Sequence, residues 1–438
     1  VLDAEPILSA ARKRGAQQVE VFAVESYETP VRFEANRLKE LNARQTKGAA
    51  LRVIVDGRIG FASSTYPDDV DGLVEAAAEA APFGPLARFE LPGPAEAPVV
   101  QVFDPRTQAV SADEMIHWGQ SLIDAARNLE PKLVCDATVR RVVQTVTLAN
   151  SNGGGFSYRA SALSASLHGT LIRDTDMLFV GDYDASCSPD LDWKRIEETI
   201  ERQLRYSRRN AALKMAQMPV IFTPLGVAES LLTPLALAFS GRLVHQGQSP
   251  LVDRLGEQLY DSRFSMWDDA TISLRAASRP FDDEGVPSRR IQLVENGVVR
   301  SFLYDLQTAA LAGAESTASA ERSLASQPSI STTCVTIAAG DTTFEDMLDS
   351  VSEGVVVEEL MGAGQGNVMG GDFSGNVLLG YKIEGGEIVG RVKDTIVAGN
   401  VHEALRQLGA VGSDSRWVGG VVNTPSLLFE HLTVSSRT

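Results

Sequence analysis

The chain is short of cysteine, histidine, positive charge and long apolar runs, and each shortage closes off a class of function. Its only cysteines are Cys135, Cys187 and Cys334. They are far apart and odd in number, with no C-x-x-C, so neither a disulfide framework nor a thiolate zinc site is encoded. They read as buried thiols in a reducing compartment. Lys and Arg number 40 against 57 Asp and Glu, a formal net charge of −17. DNA phosphates repel such a chain, so acidity argues for solubility and against nucleic acid or an anionic membrane as partner. No apolar run approaches the ~20 residues that span a bilayer. The segment Val1-Leu2-Asp3-Ala4-Glu5 lacks the basic and apolar regions of a signal peptide. A cytoplasmic location is the expectation.

Histidine is scarcer still in useful places. A hydrolytic zinc site needs about three protein ligands and an open position for water. His117, His168, His245, His402 and His431 stand singly along the sequence. His402-Glu403 begins like a zincin helix, but Arg406 stands where a second histidine is needed. Each histidine reads as a surface or packing residue, and a metal held by distant histidines stays open. No G-x-S-x-G elbow or papain-type cysteine motif is present.

What is present is folded-protein texture. Hydrophobic residues make up 44% of 438, enough for two or three domains. Helical spacing marks Ala4 to Arg14, with Gly15 as its end, then Asp68 to Ala81, Asp113 to Leu129 and Trp193 to Tyr206. Strands are expected at Val19–Val24, Leu133–Val139, Val142–Ala149, Tyr158–Leu171 and Met177–Asp182. Ala50–Val55 and Arg58–Phe61 flank Asp56-Gly57, a strong type I′ hairpin signal. Pro82 to Pro105 reads as a connector. Residues 1–212 are thus expected to form an α+β domain with antiparallel strands and flanking helices. Residues 213–438 should form a β-rich antiparallel domain. Its hairpins turn at Asn296-Gly297 and Gly385-Gly386, and its clear helix is Phe344–Val351, capped by Asp341 or Thr342 and ended by Gly354.

Three further segments carry candidate chemistry. In residues 219–240 a strand enters an apolar helix whose one acid is Glu229. That helix is apolar nearly all round, so burial in the core or at a subunit boundary is expected. The run Gly362 to Gly375 lacks the ending of a phosphate loop and opens no helix. It reads as a bulged connection or as a place where another backbone, such as a bound peptide, comes close. Gly370, Gly371, Asp372 and Ser374 are its candidate peptide-binding residues. Asp282-Asp283-Glu284-Gly285 reads as a polar turn after Pro280, with a cation site conceivable but off the EF-hand spacing. Asn400 is explained by helix capping.

Five stretches together resemble the TldD/PmbA family, historically labelled modulators of DNA gyrase. They are Gly48–Ser64, Pro219–Leu237, Arg279–Leu303, Val356–Gly375 with Glu358-Glu359-Leu360-Met361-Gly362, and Val397-Ala398-Gly399-Asn400. The resemblance extends over nearly the whole sequence. It implies a heterodimeric zinc protease that degrades or trims unfolded peptides. In it a TldD branch carries His-Glu-x-x-x-His and a late cysteine, and a PmbA (TldE) branch lacks them. By position the three motif places fall on Thr233, Pro234 and Ala238, none of which is a zinc ligand. The late-cysteine region, Trp417 to Pro425, offers only Asn423 and Thr424 as polar groups. The resemblance therefore implies a PmbA-like subunit with no metal or cofactor of its own, a zinc-bearing TldD-like partner, and a homodimer when alone. A stand-alone peptide-binding homodimer and a peptidase with an unorthodox site are the alternatives.

Overall fold

The computed structural model describes residues 3–174 and 176–436; Val1 and Leu2 of the N-terminal segment discussed above lie outside that range. The first half is one antiparallel sheet. Its strands are β1 (Gln18–Glu34), β2 (Arg37–Leu41), β3 (Arg44–Val55), β4 (Arg58–Ser64), β5 (Val134–Asn150), β6 (Gly155–Arg173) and β7 (Asp176–Ser186). Their order is β4-β3-β1-β5-β6-β7, with β2 beside β1. Asp56 and Gly57 turn the β3–β4 hairpin with φ of 48° and 72°, as a type I′ turn needs.

Odd-numbered residues of β1, such as Val19, Val21 and Val31, face the helices. Helices α1 (Glu5–Lys13) and α2 (Val70–Ala80) cover one end of that face. After the short α3 (Pro105–Ala109), α4 (Ala112–Leu129) and α5 (Trp193–Tyr206) cover the other, joined by Trp118 and Trp193 at 5.2 Å between ring centres. A reciprocal capping box, Ser111 with Glu114, starts α4. The even-numbered residues Glu20, Phe22 and Val24 face the second half. The two strands expected in 133–149 are a single strand. Arg140 and Arg141 break the apolar pattern without breaking the ladder, because Arg140 pairs with Glu28 at 2.5 Å across the neighbouring strand β1.

The second half begins at β8 (Asn210–Ala211) and β9 (Ala216–Phe222). Here β9 lies between the strands Glu353–Met361 and Leu427–Ser436. Leu427–Ser436 pairs with Thr395–Asn400, which pairs with Asp372–Glu384, which pairs back to Glu353–Met361. The five strands close a ring around Phe222, Phe373 and Phe429, whose rings meet edge-on. A six-stranded sheet adjoins it. Most pairings are antiparallel, but β9 with Glu353–Met361 is parallel. The molecule is α+β. The Asn296-Gly297 hairpin forms, though its second strand is only Val298–Val299. The helix expected over 344–351 spans Phe344–Asp349 and is capped by Thr343, not Asp341 or Thr342, because the Thr343 side chain accepts from the Asp346 N–H. Gly354 lies in the following strand instead of ending that helix.

Candidate functional site

The helix after β9 is not continuous. Thr223 caps a first turn, α6 (Pro224–Gly226); a π turn follows over Val227–Leu231, then α7 (Leu232–Ala238). Pro234 has no N–H for the Ser230 carbonyl, and a proline is tolerated only near a helix start, so the backbone widens a turn before it. The helix is also less enclosed than its composition suggests. Pro234, Leu235 and Ala238 are buried, while Glu229, Thr233 and Leu237 form an exposed stripe. Thr233, Pro234 and Ala238 therefore do not share one open face.

Glu229 has a partner that the sequence did not signal. Tyr183, on β7, donates its hydroxyl to Glu229. Both border a cavity of about 190 Å3 between the N-terminal sheet and α6, together with His168, Gln203 and Glu359. Burial, then Glu229, holds the Tyr183 phenol well above its ordinary pKa. Burial, and secondarily Glu229, also raises Glu359. The late loop closes against the same strand: a Cβ at Gly419 would stand 2.5 Å from the Tyr183 ring, and one at Gly420 would stand 1.9 Å from the Ala185 carbonyl. Asn423 and Thr424 are held in a short strand, Val422–Thr424. A protonated phenol hydrogen-bonded to one carboxylate, beside a second carboxylate of raised pKa, is not a zinc ligand set. Among the described residues no three His, Cys, Asp or Glu side chains gather as metal ligands would.

The glycine-rich run resolves into a tight internal turn. Gly371 has φ of 92°, and a Cβ there would stand 2.3 Å from His402 Cδ2. Asn400 Nδ2 donates to the Gly370 carbonyl and to Asp372 Oδ1, both at 2.8 Å. Its Oδ1 caps the turn Val401–Ala404. Ser374 pairs with Ala398 on one side and bridges Gly364 on the other. The backbone that comes close here is the protein's own, and both strand edges are taken. His402 is buried, 2.9 Å from the Tyr260 hydroxyl through Nδ1. Burial, then Arg406, pushes its pKa down to about 4, so it is neutral near pH 7.

The acidic turn at 282–285 is neither solvated nor a cation site. Asp282 accepts from the N–H groups of Glu284, Val286 and Ala320. Glu284 meets Arg52 at 2.7 Å, Arg52 meets Glu20 at 2.9 Å, and Glu20 meets Arg322 at 2.7 Å. Burial works against the Arg52 charge, but Glu20 and Glu284 outweigh it and raise its pKa. Arg52 and Glu20 come from the first half, Glu284 and Arg322 from the second. This series of ion pairs locks the halves together. Beside it a polar cleft of about 230 Å3 opens between the even face of the sheet and residues 276–279 and 332–333.

The model for the PmbA/TldA metallopeptidase C-terminal domain matches residues 215–436, and that for PmbA/TldA metallopeptidase domain 1 matches residues 19–81. This chain belongs to the PmbA/TldD family. Metalloprotease PmbA of Escherichia coli O157:H7 is 26% identical over 426 residues, 92% of this chain and 89% of that protein. The TldD homologue of Haemophilus influenzae is 29% identical, but over 41% of this chain and 40% of its own length. TldE from Thermococcus kodakarensis shares 25% identity over 99% of both proteins, with a TM-score of 0.87. A putative modulator of DNA gyrase from Thermotoga maritima has the same fold, with a TM-score of 0.89 at 23% identity over 98% of this chain and 99% of that one. In this PmbA/TldD protein Tyr183, Glu229 and Glu359 border one cavity beside the interrupted helix. Of these Glu229 and Glu359 stand in segments the sequence singles out; Tyr183 lies in a strand with no motif around it.

Proposed function

We propose that the protein is the non-catalytic, PmbA/TldE-type subunit of a heterodimeric zinc metalloprotease acting on unfolded peptides in the cytoplasm. The observation that carries this reading is the helix after β9. It stands in a metallopeptidase-family fold, yet its one ionisable side chain, Glu229, is engaged by Tyr183. The whole-length similarity to PmbA, against partial similarity to TldD, supports the same branch. Zinc, when bound in the partner, would activate a water for peptide hydrolysis. The present subunit would contribute shape and peptide contacts.

Co-expression with a His-Glu-x-x-x-His subunit tests the reading. The expected product is a stable heterodimer that cleaves an unfolded polypeptide, with the activity lost when the partner's histidines are replaced. Persistence of this protein as a homodimer that ignores such a subunit would favour a stand-alone peptide-binding protein instead.

A further inference from the structure

The polar cleft between the halves holds a buried cation whose ion pair with Asp283 is long and leaves two of its nitrogens unbonded. Arg279 is 7% exposed and lines the cleft. Its Nε and Nη2 have no hydrogen-bond partner, and Nη1 stands 3.7 Å from Asp283 Oδ2. The nearby acids are committed elsewhere. Asp283 Oδ2 accepts from the Arg322 N–H at 2.9 Å, and Asp268 Oδ1 accepts from Thr333 N and Oγ1 at 2.8 and 3.0 Å. Arg322 also lines the cleft, and its guanidinium makes no hydrogen bond either, but its charge is met by Glu20 at 2.7 Å and by the Phe22 ring at 4.3 Å from its centre. Gln144, Tyr158, Thr332 and Thr333 supply further polar groups.

A guanidinium offers five donors in a fixed plane, and burying them unpaired is costly. A carboxylate matches that plane with two parallel acceptors. The cleft of about 230 Å3 is far larger than the ~10–15 Å3 that one bridging water requires. Asp283 and Glu321 also border it, so a singly charged ligand fits better than a phosphate dianion.

The geometry points to a carboxylate-binding pocket in this cleft, with Arg279 as its cation, that takes a carboxylate-bearing end or side chain of a peptide. This rests on the reading of the protein as a peptide-handling subunit and adds what part of the peptide it holds.

Calorimetric titration of the full-length protein tests it with four probes: N-acetyl-dialanine, its C-terminal amide, N-acetyl-aspartyl amide and inorganic phosphate. At least one carboxylate probe should bind about tenfold or more tightly than the dialanine amide. Binding of the dialanine acid alone assigns the pocket to the C-terminus of a peptide; binding of the aspartyl amide assigns it to an acidic side group. Arg279→Gln should abolish the preference, and Arg279→Lys, which keeps charge but loses the planar fork, should weaken it. If Arg279→Gln melts early, Arg279→Lys decides. Equal affinity for acid and amide, equal affinity for phosphate, no binding of any probe, or full affinity in a folded Arg279→Lys variant overturns the pocket. The subunit reading stands or falls separately, on assembly with the zinc-bearing partner.

Discussion

Single residues carry the tension between charge and burial. His402 binds its proton less readily in the fold than its ordinary 6.5, with a pKa of about 4. Between those values the unfolded protein takes up a proton that the folded protein refuses. Its contribution is therefore intact above pH 6.5 and is lost as pH falls, by about 3 kcal/mol at pH 4 and below. Asp268, raised to about 6 mainly by burial, acts in the opposite sense and gains stability as pH falls below 6. A His402→Gln variant should thus lose stability less steeply between pH 6.5 and 4 than the unaltered protein, whatever its stability at pH 7. Parallel slopes in denaturant titrations would remove His402 from the account. The linked ion pairs make a larger claim. Replacing Glu284 by Gln leaves two buried guanidiniums, Arg52 and Arg322, sharing the single carboxylate of Glu20 and should cost about 3–5 kcal/mol. An exposed pair such as Lys194–Glu198, with side chains 83% and 60% exposed, should change stability little when broken.

Elements were legible where local chemistry decides them. Asp56-Gly57 and Asn296-Gly297 turn as their sequence demands, because positive φ is needed at both residues of each turn. The capped helices also lie close to their expected ends. The single long β5 was not legible, because Arg140 finds Glu28 only across a strand more than a hundred residues earlier. Nor was the π turn before Pro234, since a hydrophobic period does not reveal which carbonyl loses its donor. The glycine-rich run was legible as a close approach, but its partner, the protein's own His402 turn, lies about thirty residues on. Gly371→Val should accordingly act through folding: positive φ and the His402 ring both oppose it. Its melting temperature should drop by several degrees, with zinc in a reconstituted complex unchanged. A stable Gly371→Val variant with impaired peptide turnover would instead restore that run as a peptide grip. Leu235, 2% exposed, gives the helix after β9 its own test. Leu235→Asp should cost several kcal/mol through an unpaired buried charge, whereas Thr233→Asp on the exposed stripe should cost little.

At the scale of the molecule, the two halves are built to stay together. Helix α5 packs with Tyr381 and Glu358 of the second half, and the linked ion pairs tie the other side. A two-part body with an interrupted helix and a polar cleft is compatible with the proposed subunit, which would contribute shape and peptide contacts while another performs the chemistry. That division of labour is the central claim, and metal content measures it most directly. The purified protein should hold no stoichiometric zinc and cleave no unfolded peptide. Mixed with a His-Glu-x-x-x-His subunit, it should form an active complex whose zinc follows that subunit. Elemental analysis finding about one zinc per molecule in the isolated protein, removed together with peptidase activity by a chelator, would contradict the account.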